Sequence, residues 1–231
     1  VPVLSRAQIQ VAIADERFAP YLAACGNDDA AAFTLYRWNL LVASTIQEVL
    51  GLFEVALRNA IDPHVGAWQL TAPPAGGRTY GRNWLAEPHP LLSNSQGARR
   101  FAALKDNVDK AIRGKGRAPT HGDFVAQTTL GTWRYLLPPA SGNVSFTQRL
   151  WDSNVKDAFP HLRRNHGALT FGVNRILRLR NRIAHYEPVL DTTKIFDDTL
   201  AMRRVLNDID PDLKPWFDRQ SRVAWAIAQR P

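Results

Sequence analysis

Cysteine is nearly absent. Cys25 is the only one in 231 residues, which excludes an intramolecular disulfide and a cysteine-based zinc site. That scarcity fits a reducing compartment. No run approaches the ~18 consecutive apolar residues of a membrane span, so no membrane partner is expected. The opening Val1-Pro2-Val3-Leu4-Ser5-Arg6 lacks the basic start and apolar run of a signal peptide, and the expected address is the cytoplasm. His64, His89, His121, His161 and His166 show no metal-ligand spacing with carboxylates, so no metal and no cofactor are expected. Internal repeats, strand-like alternation and RNA-reading patterns such as RRM or KH are also missing. Acidic residues are in deficit, 21 against 29 Lys and Arg, for a formal charge of +8. The excess favours a polyanionic partner, because each phosphate contacted by Lys or Arg releases counterions. Charge alone does not separate RNA from DNA or from an acidic protein.

What is present is helix. A hydrophobic fraction of 45%, with ten Phe, seven Trp and five Tyr, supports a real core and excludes a disordered chain. The length suits a single domain over 1–231, with about 63–120 as an insertion rich in loops and basic residues. The clearest helix is expected from Ala32 to Ile61, where Leu35, Trp38, Val42, Ile46, Val49, Phe53 and Leu57 recur every three or four residues. Asp62-Pro63 reads as its stop. A shorter helix is expected before it, from Arg6 to Ala24. After a Pro- and Gly-punctuated loop over 71–97, helices are expected at Ala98–Arg113, Phe124–Leu137, Ser145–Phe159, His166–Tyr186, Ile195–Ile209 and Leu213–Ala228. The predicted fold class is all-α.

One stretch carries chemistry: Arg180-Asn181-Arg182-Ile183-Ala184-His185, followed by Tyr186-Glu187-Pro188. An arginine, an amide and a histidine within six residues are a compact set for a phosphodiester: a cation for the phosphate, an imidazole that moves protons near neutral pH, and an amide to orient either. Asn181 and His185 are four apart and share a helix face; Arg180 is offset by about 100° but is long enough to swing to the same edge. His185 falls in the last turn before Pro188, where the carbonyl end of a helix attracts positive charge. The competing reading is a basic helix end, with Arg175, Arg178, Arg180 and Arg182 solvated and His185 a cap.

That stretch resembles the signature of the HEPN superfamily, whose ribonuclease members carry Arg, a polar residue and then His after four to six intervening positions. Other segments resemble its Abi-like (abortive infection) branch. Tyr36-Arg37-Trp38-Asn39-Leu40 and Glu54-Val55-Ala56-Leu57-Arg58-Asn59 are similar to that family's Trp-Asn and Glu-x-Ala-Leu-Arg-Asn segments. Asp123-Phe124-Val125-Ala126-Gln127 with Leu130-Gly131-Thr132-Trp133 resembles its second block, Leu130 standing where Phe is usual. Asp210-Pro211-Asp212 with Trp216 resembles its closing segment. Tyr186 departs from the pattern, since many relatives have a second histidine there. The resemblance implies a HEPN-type helical bundle and metal-free endoribonuclease activity on tRNA, mRNA or phage RNA. It further implies a homodimer with Arg180 and His185 of both subunits at one cleft, and an antitoxin, protein or RNA, that restrains a toxin or phage-defence effector. Arg180, Asn181 and His185 are then the catalytic candidates.

Weaker candidates surround them. Glu54 and Arg58 are placed to pair at i,i+4. One of Glu54, Arg58 and Asn59 is expected to hold Arg180 or Asn181, the alternative being a purely structural polar network. Arg182 is a candidate for a neighbouring phosphate, or else a solvated charge. Arg99 to Arg117 carries seven Lys or Arg against two Asp, an RNA track or a solvated face. Trp84, Trp133 and Tyr186 are candidates for base stacking, with core packing as the alternative. The rival function is a catalytically silent RNA-binding or protein-interaction module on the same scaffold.

Overall fold

The structure, a computed structural model, describes residues 6–139 and 145–231. Helices α1 (Arg6–Ala12) and α2 (Asp15–Ala24) lead into α3 (Asp29–Thr71). Next come α4 (Pro90–Gln96), α5 (Ala98–Ile112), α6 (His121–Ala126), α7 (Leu130–Arg134) and α8 (Phe146–Ser153), with a 3-10 turn at Val155–Ala158. The chain closes with α9 (His166–Ala184), α10 (Thr192–Ile209), α11 (Leu213–Gln220) and α12 (Val223–Ala228). No strand forms among the described residues, so the all-α expectation holds.

α3 is the axis. Asp28 caps it by accepting from the Ala30 and Ala31 amides at 2.9 and 3.0 Å, satisfying two of the donors a helix start leaves open. Its 43 residues run roughly 65 Å at 1.5 Å per residue. By length and composition it would be able to cross a bilayer, yet Val42, Ile46, Val49, Phe53, Leu57 and Ile61 along it are buried in the protein core.

The expected stop at Asp62-Pro63 is not where α3 ends; Pro63 lies inside the helix, which continues to Thr71. Proline removes one hydrogen bond from the ladder, but tertiary contacts outweigh that loss. Val65 extends the buried stripe. Gln69 ties the following loop down, donating to the Gly81 and Glu87 carbonyls at 2.6 and 3.1 Å and accepting from the His89 amide at 2.8 Å. Gly66 admits that loop closely: a Cβ there would lie 3.1 Å from the Arg82 carbonyl oxygen. The Asp62 carboxylate accepts from Trp84 Nε1 at 2.8 Å and meets His121 Nε2 at 2.8 Å.

Residues 63–120 therefore do not stand apart. Their first nine extend α3, and Trp84, Leu85, Leu92 and Val108 belong to one buried cluster that runs from Ile13 to Ala226. Trp84 and Trp133 are fully buried and meet edge to face at 5.8 Å, so the core reading of both replaces the base-stacking one.

Four expected helices are each broken in two. The clearest break separates α6 from α7, where the Thr128 hydroxyl donates to the Val125 carbonyl at 2.7 Å and accepts from Trp133 Nε1 at 3.1 Å. A threonine side chain that bonds locally offers the backbone an alternative to helix. α9 ends at Ala184, with His185 as its C-cap rather than inside the helix. Two buried bonds from α3 register the C-terminal half: Trp38 Nε1 donates to the Ala226 carbonyl at 2.9 Å, and Asn39 Oδ1 accepts from the Val189 amide at 2.7 Å. Replacing Asn39 by Ala leaves the Val189 amide buried and unpaired, so Asn39→Ala should cost about 1–3 kcal/mol in urea unfolding. A loss well under 1 kcal/mol would show that this tether carries little.

Candidate functional site

Helices α3, α7 and α9 meet at Glu54. Its half-buried carboxylate accepts from the Leu130 amide at the start of α7 and faces the guanidinium groups of Arg180 on α9 and Arg58 on its own helix. Burial is the largest influence and raises its pKa above the ordinary glutamate value; Arg180, then Arg58, then the Leu130 amide oppose that. The expected i,i+4 partner, Arg58, is thus the weaker of the two charges, and its Nε is buried without a hydrogen-bond partner. Asn59 is exposed and takes no part in this junction. α7 is further locked to α9 by Arg134, whose Nε donates to Asn174 Oδ1.

Arg180 and Asn181 line a pocket of about 430 Å³ between α5, the α6–α7 segment and α9. Its floor is apolar, with the partly buried Phe101, Leu104 and Leu177 backed by the buried Trp84, Leu85 and Leu136. Its polar lining includes Asn107, Gln127, Thr132 and Arg100, and it contains no carboxylate. Arg100 lies over the Tyr135 ring at 4.4 Å, a cation–π contact at the pocket edge. Two arginines in a lining that contains no acid make this a place where an anion is attracted.

His185 stands one turn beyond, exposed and outside the pocket lining. The chain leaves α9 there through a Schellman turn: the Glu187 amide donates to the Arg182 carbonyl at 2.9 Å and the Tyr186 amide to Ile183 at 3.1 Å. The turn requires a left-handed residue, and here that residue is Tyr186 at φ 55° instead of glycine. The residue is 68% exposed, so burial does not explain a tyrosine at this strained position. Arg17 on α2 supports the turn by donating to the His185 and Tyr186 carbonyls at 2.9 and 3.3 Å.

Arg182 is not part of this group. Its guanidinium donates to the Pro188 carbonyl and pairs with Glu187 at 3.5 Å, and it borders a separate depression between α9 and α10. The structure thus joins Arg180, Asn181, Glu54 and Arg58, sets His185 and Tyr186 on the adjoining helix end, and leaves Arg182 and Asn59 apart. Arg100, Asn107, Gln127 and Thr132 are the lining residues that sequence spacing missed; Arg100 was visible only as part of a charge run. Arg17 had no local signal, since it lies 168 residues from His185. No cluster of three or more His, Cys, Asp or Glu suited to a metal occurs among the described residues. Comparison of the chain with protein-family models, curated proteins and solved structures finds no match.

Two variants separate structure from function here. Tyr186→Gly removes left-handed strain, partly offset by a looser unfolded chain, and should raise stability by up to about 1 kcal/mol; a lower thermal midpoint would contradict the strain. Glu54→Gln tests the junction through pH. A carboxyl whose folded pKa is raised favours the folded state below its unfolded pKa, and that stability is lost as pH rises through the folded pKa. Glu54→Gln should flatten that part of the stability–pH curve; an unchanged curve would refute the assigned burial.

Proposed function

We propose that this protein is a metal-independent endoribonuclease built on a HEPN-type bundle, acting in the cytoplasm as a toxin or abortive-infection effector on tRNA, mRNA or phage RNA. The observation that carries this reading is Arg180, near the Glu54 carboxylate and on the wall of a pocket whose lining contains no acid, with His185 exposed on the same helix end. In the reaction the 2′-oxygen attacks phosphorus as its proton leaves, and the bond from phosphorus to the 5′-oxygen breaks as that oxygen gains a proton. The products are a 2′,3′-cyclic phosphate and a 5′-hydroxyl, so DNA is not cut. Arg180 stabilises the charge that grows on the phosphoryl oxygens, and this binding is stronger in the transition state than in the ground state. His185 moves a proton, and Asn181 orients the phosphate or the imidazole.

A homodimer completes this scheme. One chain has one such Arg and His set, and an isologous two-fold contact is the commonest way to bring two sets to one cleft. Restraint by an antitoxin, protein or RNA, follows from the resemblance alone. The second reading, an RNA-binding or protein-interaction module without catalysis, draws support from His185 lying outside the pocket that contains Arg180.

Purified protein in EDTA should cleave single-stranded RNA or tRNA to 5′-hydroxyl ends. His185→Ala and Arg180→Ala should each lower the rate by about 10²–10⁴-fold with unchanged circular dichroism. Cleavage that survives His185→Ala, or that requires a divalent metal, would refute the mechanism. Salt-sensitive RNA binding without cleavage by either protein would favour the second reading.

A further inference from the structure

The pocket beside Arg180 has more in it than a phosphate needs. Its volume of about 430 Å³ falls within the ~300–1,000 Å³ usual for small-molecule sites. Phe101, Leu104 and Leu177 give it an apolar floor, backed by the buried Trp84, Leu85 and Leu136. The side chains of Asn107, Gln127, Thr132 and Asn181 line it, and none of the four makes a hydrogen bond to another described residue. Unpaired amides and a hydroxyl over an apolar floor match a flat ring with donors and acceptors on its edge. Arg180 and Arg100, with no carboxylate in the lining, match an anion attached to that ring.

We infer that this pocket binds one unpaired nucleotide of the RNA, its base over the apolar floor and its phosphate at Arg180. The inference rests on the proposed role of Arg180 as the phosphate contact and extends it to base recognition. Asn107 and Gln127 are the base-reading residues, because each carries both a donor and an acceptor and neither is needed for the phosphate. Arg100, stacked on Tyr135 at 4.4 Å, forms the cationic lip that the sugar–phosphate chain crosses. A duplex does not fit this arrangement, since a base must leave its stack to enter.

The test is calorimetric titration of the intact protein with the four nucleoside 3′-monophosphates, with the bare nucleosides and with inorganic phosphate. At least one nucleotide should bind about tenfold or more tightly than phosphate or its nucleoside. Asn107→Ala and Gln127→Ala should each weaken that nucleotide about three- to tenfold and leave phosphate binding unchanged, while Arg180→Ala should weaken both ligands. Nucleotide binding no tighter than phosphate overturns the inference, as does nucleotide binding that neither amide variant alters. Cleavage in EDTA is scored separately. RNA cleavage without nucleotide preference removes the base pocket and keeps the nuclease, whereas nucleotide binding without cleavage keeps the pocket and removes the nuclease.

Discussion

The carboxylate of Glu54 is the point on which the site depends. A charge withdrawn from water is costly; at Glu54 the nearby charges of Arg180 on α9 and Arg58 on α3, neither in direct ion-pair contact, and the Leu130 amide of α7 oppose that cost. Of these groups Arg180 lines the pocket, and the half-buried acid sits behind it, outside the lining. The opposition between burial and Arg180 is informative. Burial remains the larger influence on Glu54, while Arg180 itself lines a pocket that contains no carboxylate.

The excess positive charge is unevenly available. Several arginines are committed to carboxylates: Arg164 to Asp208 at 2.5 Å, Arg175 to Asp197 and Asp198, Arg203 to Asp218 at 2.8 Å, and Arg222 to Glu48. Asp198 and Asp208 are buried, and burial pushes both pKa values up while their arginine partners hold them down. Arg175 fastens α9 to α10, Arg164 ties the segment before α9 to α10, Arg203 joins α10 to α11, and Arg222 reaches α3, so these pairs are structural. Pairs such as Arg222 and Glu48, exposed on both sides, contribute only about 0–1 kcal/mol. Among the described residues, Arg100 and Arg180 form no direct carboxylate ion pair, and both line the one pocket. A formal charge of +8 therefore says less about a partner than the position of these two groups.

Helix identity was legible in the sequence because burial follows a 3.6-residue period, and Leu35, Trp38, Val42, Ile46, Val49 and Phe53 are all buried as their spacing requires. Helix ends were less legible. Pro63 carries a local signal to stop, but the bonds that override it come from Gly81, Glu87 and His89, which no window around Pro63 contains. The break at Thr128 arises from side-chain bonds to Val125 and Trp133 that periodicity does not register. Of the candidate site, spacing left open which of Glu54, Arg58 and Asn59 lies near Arg180 and Asn181, while the adjacency of those two was readable. Gln127, Asn107 and Thr132 were not, because a polar residue facing a pocket and one facing bulk water look alike in a sequence.

The end of α9 is held more firmly than a simple helix stop needs. Arg17 takes the His185 and Tyr186 carbonyls, Asn39 fixes the Val189 amide, Arg182 reaches the Pro188 carbonyl, and the Schellman pair closes the turn. A stop built for stability alone would place glycine in the left-handed position. Here these contacts offset roughly 1 kcal/mol of strain to keep an exposed tyrosine there, directly after the histidine. Such over-determination fixes where His185 and Tyr186 stand relative to Arg180 and Asn181, all on one rigid helix end. Catalysis by positioning needs that rigidity, and a solvated basic helix end does not.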